Sequence, residues 1–138
     1  MGLMKSRVKL IENHMLAVDD RLGHSVILDL PDKGYIPTGT SALELCVMSL
    51  AGCVETIFIL VAEKKKIVLK DAVVEVEVIK PEGGNTITYA KFVINVKSED
   101  DPRKIQSAVE YAIHNCPVGV LFEKAGVKFE HTLNIENK

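Results

Sequence analysis

The 138-residue sequence predicts an α+β fold with a mostly antiparallel sheet, a long central apolar helix and a second helix. Three observations predict this class. Segments that alternate apolar and polar residues occur early, midway and late in the chain, residues 41–62 are apolar on nearly every face, and residues 105–113 carry apolar side chains at helical spacing. No repeat, low-complexity tract or linker interrupts the sequence, so we expect residues 1–138 to form a single domain.

The N-terminal segment predicts two paired strands followed by a loop. Apolar and polar residues interleave from Arg7 to Val18 and again from His24 to Leu30, with a turn at Asp19-Asp20. This alternation is typical of strands with one buried face. Residues 31–39 contain two prolines and two glycines, which break regular structure and predict a loop.

Ser41 and Glu44 predict the start of the long helix, because a hydroxyl and a carboxylate three residues apart can each bond the other's backbone N–H. From there to Ala62 the chain is apolar all round, so the helix must be surrounded. Glu55 near its centre would cost about 2.5–3.5 kcal/mol in a bilayer, which argues against a membrane span. A chain of this length has few elements left to cover the helix, which points to a second subunit.

The second half predicts a hairpin and a final strand. Residues 72–80 and 86–96 alternate on either side of the turn at residues 81–85, as the two strands of a β-hairpin do. Residues 127–135 alternate again and predict the last strand.

Two further helices are predicted between the hairpin and the last strand. Asp101 followed by Pro102 is a helix cap with proline at the first helical position. This helix is expected to end near Asn115, because Pro117 disfavours helical geometry at the residue before it. A short helix then runs from Pro117 and closes at Gly126.

The composition indicates which partners we do not expect to bind the protein and in which cell compartment we expect it. The 17 basic and 19 acidic residues are spread along the chain, so no basic face is available for nucleic acid. The three cysteines are too few for a secreted disulfide scaffold, and the N-terminus lacks an apolar signal core. We therefore expect a protein of the reducing cytoplasm, with no nucleic acid or membrane partner.

Cys53 and Cys116 are the residues that point to chemistry. Cys53 lies inside the long apolar helix, and Cys116 lies at a helix boundary, where helix N–H groups favour a thiolate and should lower the thiol pKa. Each has a structural alternative, since free cysteines often pack as small apolar residues, and Cys46 is expected to do so. No Cys-x-x-Cys pair or shared histidine spacing occurs, so we expect neither a metal nor a cofactor.

Two blocks of sequence carry a resemblance. Residues 39–45, continuing to Leu50-Ala51-Gly52-Cys53, resemble the first motif of the OsmC/Ohr family, and residues 111–118 resemble its second motif. The chain is most similar to the general OsmC-like branch. The resemblance implies an intertwined homodimer with active sites at the subunit interface. It also implies that Cys53 is the peroxidatic and Cys116 the resolving cysteine, acting on organic hydroperoxides and reset by an external thiol reductant.

The resemblance implies two more site residues. Family members stabilise the peroxidatic thiolate with an arginine from the N-terminal region, oriented by a carboxylate near the start of the long helix. Arg21 is our candidate for the arginine, with a solvated loop residue as the alternative. Glu44 lies nine residues before Cys53, whereas the dedicated hydroperoxidases carry a carboxylate ten before, where this chain has Leu43. Glu44 is therefore expected to serve first as the helix cap.

We predict a thiol-dependent peroxidase in oxidative or osmotic stress defence, which forms a sulfenic acid on Cys53 and then a disulfide with Cys116. The alternative is a non-catalytic protein that binds a small molecule in a hydrophobic interface cleft. A third possibility is that all three cysteines are inert and the dimer is structural.

Overall fold

The computed structural model describes residues 2–32 and 34–137. The chain comprises two compact units, Met1–Cys46 and Val47–Lys138, and the division falls inside the long helix. Each unit contains a three-stranded sheet. The described residues thus form an α+β fold with three helices and mostly antiparallel strand pairing, as the sequence predicts, but the strands lie in two sheets where one was expected.

The first unit contains strands β1 (Arg7–Glu12), β2 (Met15–Asp19) and β3 (Ser25–Leu28), which pair antiparallel in chain order. The prediction of one continuous strand from residue 7 to residue 18 is wrong. Asn13 adopts a left-handed conformation with φ of 48°, which turns the chain back between β1 and β2. Asparagine tolerates this conformation because its short polar side chain can bond locally.

The loop after β3 returns to that strand just before the long helix begins. Thr40 forms a parallel bridge with Leu28, and the Asp29 N–H donates to the Thr40 carbonyl at 2.9 Å. A Cβ atom on Gly39 would lie 2.1 Å from the Ile27 carbonyl oxygen, so only glycine fits there. The glycine of the first motif is therefore required for backbone packing.

Helix α1 (Ala42–Lys64) begins at the predicted capping box. The Glu44 N–H donates to Ser41 Oγ at 3.2 Å, and the Ser41 N–H donates to Glu44 Oε1 at 3.0 Å. Within the second unit, one stripe of side chains four residues apart is buried: Leu50, Val54, Phe58 and Ala62. A spacing of four residues keeps these side chains on one face of the helix.

In the described part of the second unit, much of the opposite face of α1 is exposed. The helix is long and apolar enough to cross a membrane by length and composition, and 22% of its most apolar stretch is buried. The exposed side chains on this face include Met48, Ile59 and Leu60. Apart from the neighbouring backbone of α1 itself, no described atom lies within 4 Å of a Cβ atom built on Gly52.

The second unit contains strands β4 (Asp71–Ile79), β5 (Tyr89–Lys97) and β6 (Lys128–Glu136). Strands β4 and β5 form the predicted antiparallel hairpin, and β6 pairs with β5 in parallel. A parallel pair needs a crossover connection. Helices α2 (Pro102–Asn115) and α3 (Pro117–Lys124) supply it.

The core of the second unit lies between its sheet and its helices. The buried face of α2 consists of the five predicted positions: Ile105, Ala108, Val109, Ala112 and Ile113. Alternate residues of β5 are buried as well: Ala90, Phe92, Ile94 and Val96. The rings of Phe92 and Phe129 pack edge to face, with centroids 5.0 Å apart and an interplanar angle of 79°. Such aromatic pairs add stabilisation beyond the area they bury.

Replacing Phe92 with alanine should lower the free energy of unfolding by about 3–5 kcal/mol, since the ring is fully buried and its loss leaves a cavity. Urea denaturation measures the change. The matched control is Tyr111→Ala, because Tyr111 is 54% exposed on α2 and its loss should cost roughly 0.5 kcal/mol or less. Equal losses for the two variants would contradict the assigned core.

Candidate functional site

Cys116 occupies the break between helices α2 and α3. Its backbone is extended, with φ of −76° and ψ of 139°, because Pro117 disfavours helical geometry at the preceding residue. Cys116 is therefore the C-cap of α2 and the N-cap of α3. Its side chain accepts a hydrogen bond from the Gly119 N–H at 3.2 Å, and the residue is 0% exposed.

The pocket around the Cys116 sulfur leaves no room for a side chain on Gly119. A Cβ atom there would lie 2.8 Å from Cys116 Sγ and 2.9 Å from the Ile113 carbonyl oxygen. The ring of Phe129 is 3.8 Å from the same position. Glycine at this position thus lets the first turn of α3 close tightly against the sulfur.

The structure brings Cys53 and Cys116 together, although 62 residues separate them in the sequence. The Cys53 side chain forms a hydrogen-bond contact with the Cys116 side chain. Cys53 is partly buried and packs against the core of the second unit. Cys46 is exposed and belongs to the first unit. None of the three cysteines forms a disulfide.

Burial raises the pKa of the Cys116 thiol to about 11. This value is the net result of burial, which raises the pKa most, of the Gly119 hydrogen bond, which lowers it, and of the interaction with Cys53, which raises it. The sequence-based expectation of a lowered pKa for Cys116 is wrong, because desolvation of the thiolate outweighs the single N–H donor at the helix start. Cys116 is the thiol that keeps its proton at neutral pH.

Arg21 and Glu44, the other two predicted site residues, lie in the first unit. Arg21 lies in the loop between β2 and β3 with φ of 65°, and its guanidinium is 3.7 Å from an Asp19 carboxylate oxygen. Hydrogen bonds from Ser41 hold the pKa of Glu44 below its usual range. Glu44 therefore acts as the predicted helix cap, and a role toward Cys53 stays a prediction for both residues.

His114, two residues before Cys116, pairs with Glu123. Its Nδ1 lies 3.2 Å from Glu123 Oε2, so it links the end of α2 to the end of α3 on the exposed side. This pair ties together the two helices that flank Cys116.

A polar network in the first unit is absent from the sequence-based predictions. Asp29 is 2% exposed and accepts hydrogen bonds from the Tyr35 hydroxyl at 2.6 Å and the Thr38 N–H at 2.9 Å. These bonds lower the pKa of Asp29 and raise that of Tyr35. Both side chains line a cavity of about 310 Å³ that contains no cysteine. The network fixes the loop that leads to α1.

Over the described ranges 2–32 and 34–137, no group of three or more histidine, cysteine, aspartate or glutamate side chains is arranged to hold a metal ion. The Cys53 and Cys116 thiols can themselves undergo sulfur redox chemistry. A thiol pair in contact can lose two electrons and two protons to form a disulfide.

Glu55 lies two residues after Cys53 on α1. Like Asp29, it has an environment in the fold that the sequence does not reveal. Its Oε1 atom is buried without a hydrogen-bond partner. Burial raises the pKa of Glu55, and the nearby Asp71 carboxylate raises it further. An uncompensated carboxylate of this kind destabilises the fold when it is ionised.

Glu55→Gln should make stability less dependent on pH. Because folding raises the pKa of Glu55, its contribution is fully present below the unfolded pKa and is lost as the pH rises through the folded pKa. Urea denaturation should show equal stability of parent and variant at about pH 4, and a more stable variant at about pH 7.5. Glu75→Gln, at an exposed position of β4, is the control. A variant less stable than the parent at neutral pH would contradict this account.

The comparisons with known proteins agree with this architecture. A family model described as OsmC-like protein matches residues 32–132. The fold is similar to that of an OsmC-like protein from Mycoplasma pneumoniae, with 15% identity, 99% of each chain covered and a TM-score of 0.85. No curated protein sequence matches the chain.

Proteins named for organic hydroperoxide resistance share the fold as well. The OhrB protein of Bacillus subtilis has 20% identity, 98% of each chain covered and a TM-score of 0.65. A protein from Legionella pneumophila has 19% identity, with 99% of this chain and 98% of that chain covered, and a TM-score of 0.67. At these identities the similarity establishes the fold.

Proposed function

Since the chain belongs to the OsmC-like protein family, we propose that it is a thiol-dependent peroxidase that reduces organic hydroperoxides with Cys53 and Cys116. The observation that carries the proposal is the contact between the two side chains, with the proton retained on Cys116. Two proteins of the same fold are named for organic hydroperoxide resistance, which supports a part in oxidative or osmotic stress defence. The fold is that of a soluble protein, and we propose the cytoplasm as its location.

The proposed reaction begins at Cys53, the more accessible sulfur of the pair. Its thiolate attacks the distal peroxide oxygen, the O–O bond breaks, and the alkoxide takes a proton and leaves as an alcohol. Cys53 is then a sulfenic acid. Cys116 attacks the Cys53 sulfur, the S–O bond breaks, and hydroxide leaves with the Cys116 proton as water. Two equivalents of an external thiol reduce the resulting disulfide.

Arg21 and Glu44 complete the proposed site. A guanidinium near Cys53 would stabilise its thiolate, and the ion pair of Arg21 with Asp19 is long and exposed, so Arg21 can exchange this partner at little cost. The bonds from Ser41 to Glu44 end on Oε1. The other oxygen of Glu44 can therefore accept from an arginine while the helix cap stays intact.

A second copy of the chain is the proposed cover for α1. The exposed face of this helix is apolar, and in β1 of the first unit Val8, Leu10 and Ile11 are exposed as well. Apolar surface of this extent is unusual on a soluble monomer. We propose a homodimer in which these surfaces are buried, with the substrate's alkyl group in the resulting interface.

Adding an organic hydroperoxide such as tert-butyl hydroperoxide to the reduced protein should consume the thiols of Cys53 and Cys116 and leave that of Cys46. Thiol titration and peptide mass spectrometry measure this. Cys53→Ser should lower the rate of hydroperoxide loss on the order of 10³-fold or more, because the nucleophile is gone. Cys116→Ser should stop at a sulfenic acid that dimedone traps.

Cys46→Ser is the matched control for these substitutions and should keep the parent rate. If Cys53 and Cys116 stayed titratable after hydroperoxide addition, the enzyme proposal would fail. The non-catalytic binding protein would then be the better account of the cleft.

Analytical ultracentrifugation should give twice the 15.2 kDa chain mass. Gly52→Leu should weaken the dimer at least about tenfold, because it adds a side chain where we propose that two helices meet. Ala125→Leu makes a similar addition at an exposed site outside α1 and should leave the mass unchanged. A monomeric parent protein, or a dimer whose dissociation constant is unchanged by Gly52→Leu, would contradict this interface.

A further inference from the structure

The two sulfurs of the pair differ in how far solvent can reach them. Cys116 is 0% exposed, whereas Cys53 is partly exposed. An incoming molecule can therefore approach Cys53 and cannot approach Cys116.

The surroundings of Cys116 are closed by backbone as well as by side chains. The Gly119 N–H lies 3.2 Å from the sulfur, and a Cβ atom at position 119 would already be 2.8 Å from it. The Ile113 carbonyl and the Phe129 ring bound the same position. A pocket that cannot admit one methyl group cannot admit the sulfur and carbon chain of a reductant.

We propose that the reducing thiol attacks the Cys53–Cys116 disulfide only at Cys53, and that Gly119 is a positioning residue that holds the departing Cys116 sulfur beside Cys53. This inference rests on the disulfide of the proposed function. In the step, the external thiolate forms a bond to Cys53 Sγ and the S–S bond breaks. The electron pair leaves on Cys116 Sγ, which accepts the Gly119 N–H hydrogen bond and then takes a proton.

Two factors act in opposite directions at this pair: access favours attack on Cys53, whereas the chemistry of the leaving group disfavours release of Cys116. Burial raises the pKa of Cys116, and a thiol of high pKa is a slower leaving group. Access decides the outcome, because the alternative attack on Cys116 has no approach.

The experiment uses the full-length Cys46→Ser protein, oxidised with diamide so that disulfide formation does not depend on hydroperoxide turnover. Glutathione is added, the reaction is quenched with acid, and free thiols are blocked with N-ethylmaleimide. Trypsin places Cys53 in the peptide of residues 34–64 and Cys116 in that of residues 105–124. Mass spectrometry then shows which peptide carries glutathione and which carries the maleimide.

We expect at least about tenfold more glutathione on Cys53 than on Cys116, with maleimide on Cys116. Glutathione on Cys116, or an even division between the peptides, would overturn the inference. A Cys53 adduct in a protein that does not consume hydroperoxide would uphold the inference while refuting the peroxidase proposal. If diamide forms no disulfide between the two cysteines, both proposals fall.

Gly119→Ala tests the positioning role. The measured quantity is the rate at which Cys116 displaces glutathione from Cys53 and re-forms the disulfide, which should fall at least about tenfold as the sulfur is pushed aside. Gly84→Ala is the matched control, since its Cβ atom would meet a carbonyl oxygen, that of Pro81, at 3.1 Å in a turn without thiols. A merely structural glycine would lower the melting temperature and leave this rate unchanged, which would refute the positioning role. If Gly119→Ala does not fold, the distribution of glutathione still tests where the reductant attacks.

Discussion

The structure of the candidate site depends on one backbone constraint, the exclusion of helical geometry at Cys116 by Pro117. Without it, α2 could continue through Cys116, which lies four and seven residues after the buried Ala112 and Val109 and so stays on the buried face of the helix. The break makes Cys116 the cap of two helices while its sulfur remains in the core of the second unit. The contact with Cys53 follows from this placement, because α1 packs against the same core.

Burial and the helix N-terminus act in opposite directions on Cys116, and their balance makes the two thiols unequal. A single N–H donor replaces only part of the hydration that a thiolate has in water. The protonated form of Cys116 is therefore favoured. The pair therefore contains one thiol that keeps its proton and one in partial contact with solvent. A peroxidatic and a resolving cysteine differ in this way. The first must be accessible to the substrate, and the second reacts only after the first has been oxidised.

Local signals allowed most of the fold to be predicted from the sequence. The capping box at Ser41, the Asp101-Pro102 helix start and the spacing on α2 each depend on residues within a few positions, and all are found in the structure. The extra turn at Asn13 was missed because apolar residues continue on both sides of it. The pKa of Cys116 was misjudged because its sign depends on burial by distant elements, and the unpaired Glu55 oxygen was missed for the same reason.

The position of Cys53 on α1 explains how one side chain can contact a buried thiol and still be partly exposed to solvent. Leu50 and Val54 belong to the buried stripe, while Gly52 and Thr56 are exposed. At about 100° per residue, Cys53 lies at the border between these two faces. A shift of one position to Val54 would seal the sulfur inside the unit, and a shift to Gly52 would turn it away from Cys116. The border position is the one that permits both contacts without a movement of the helix.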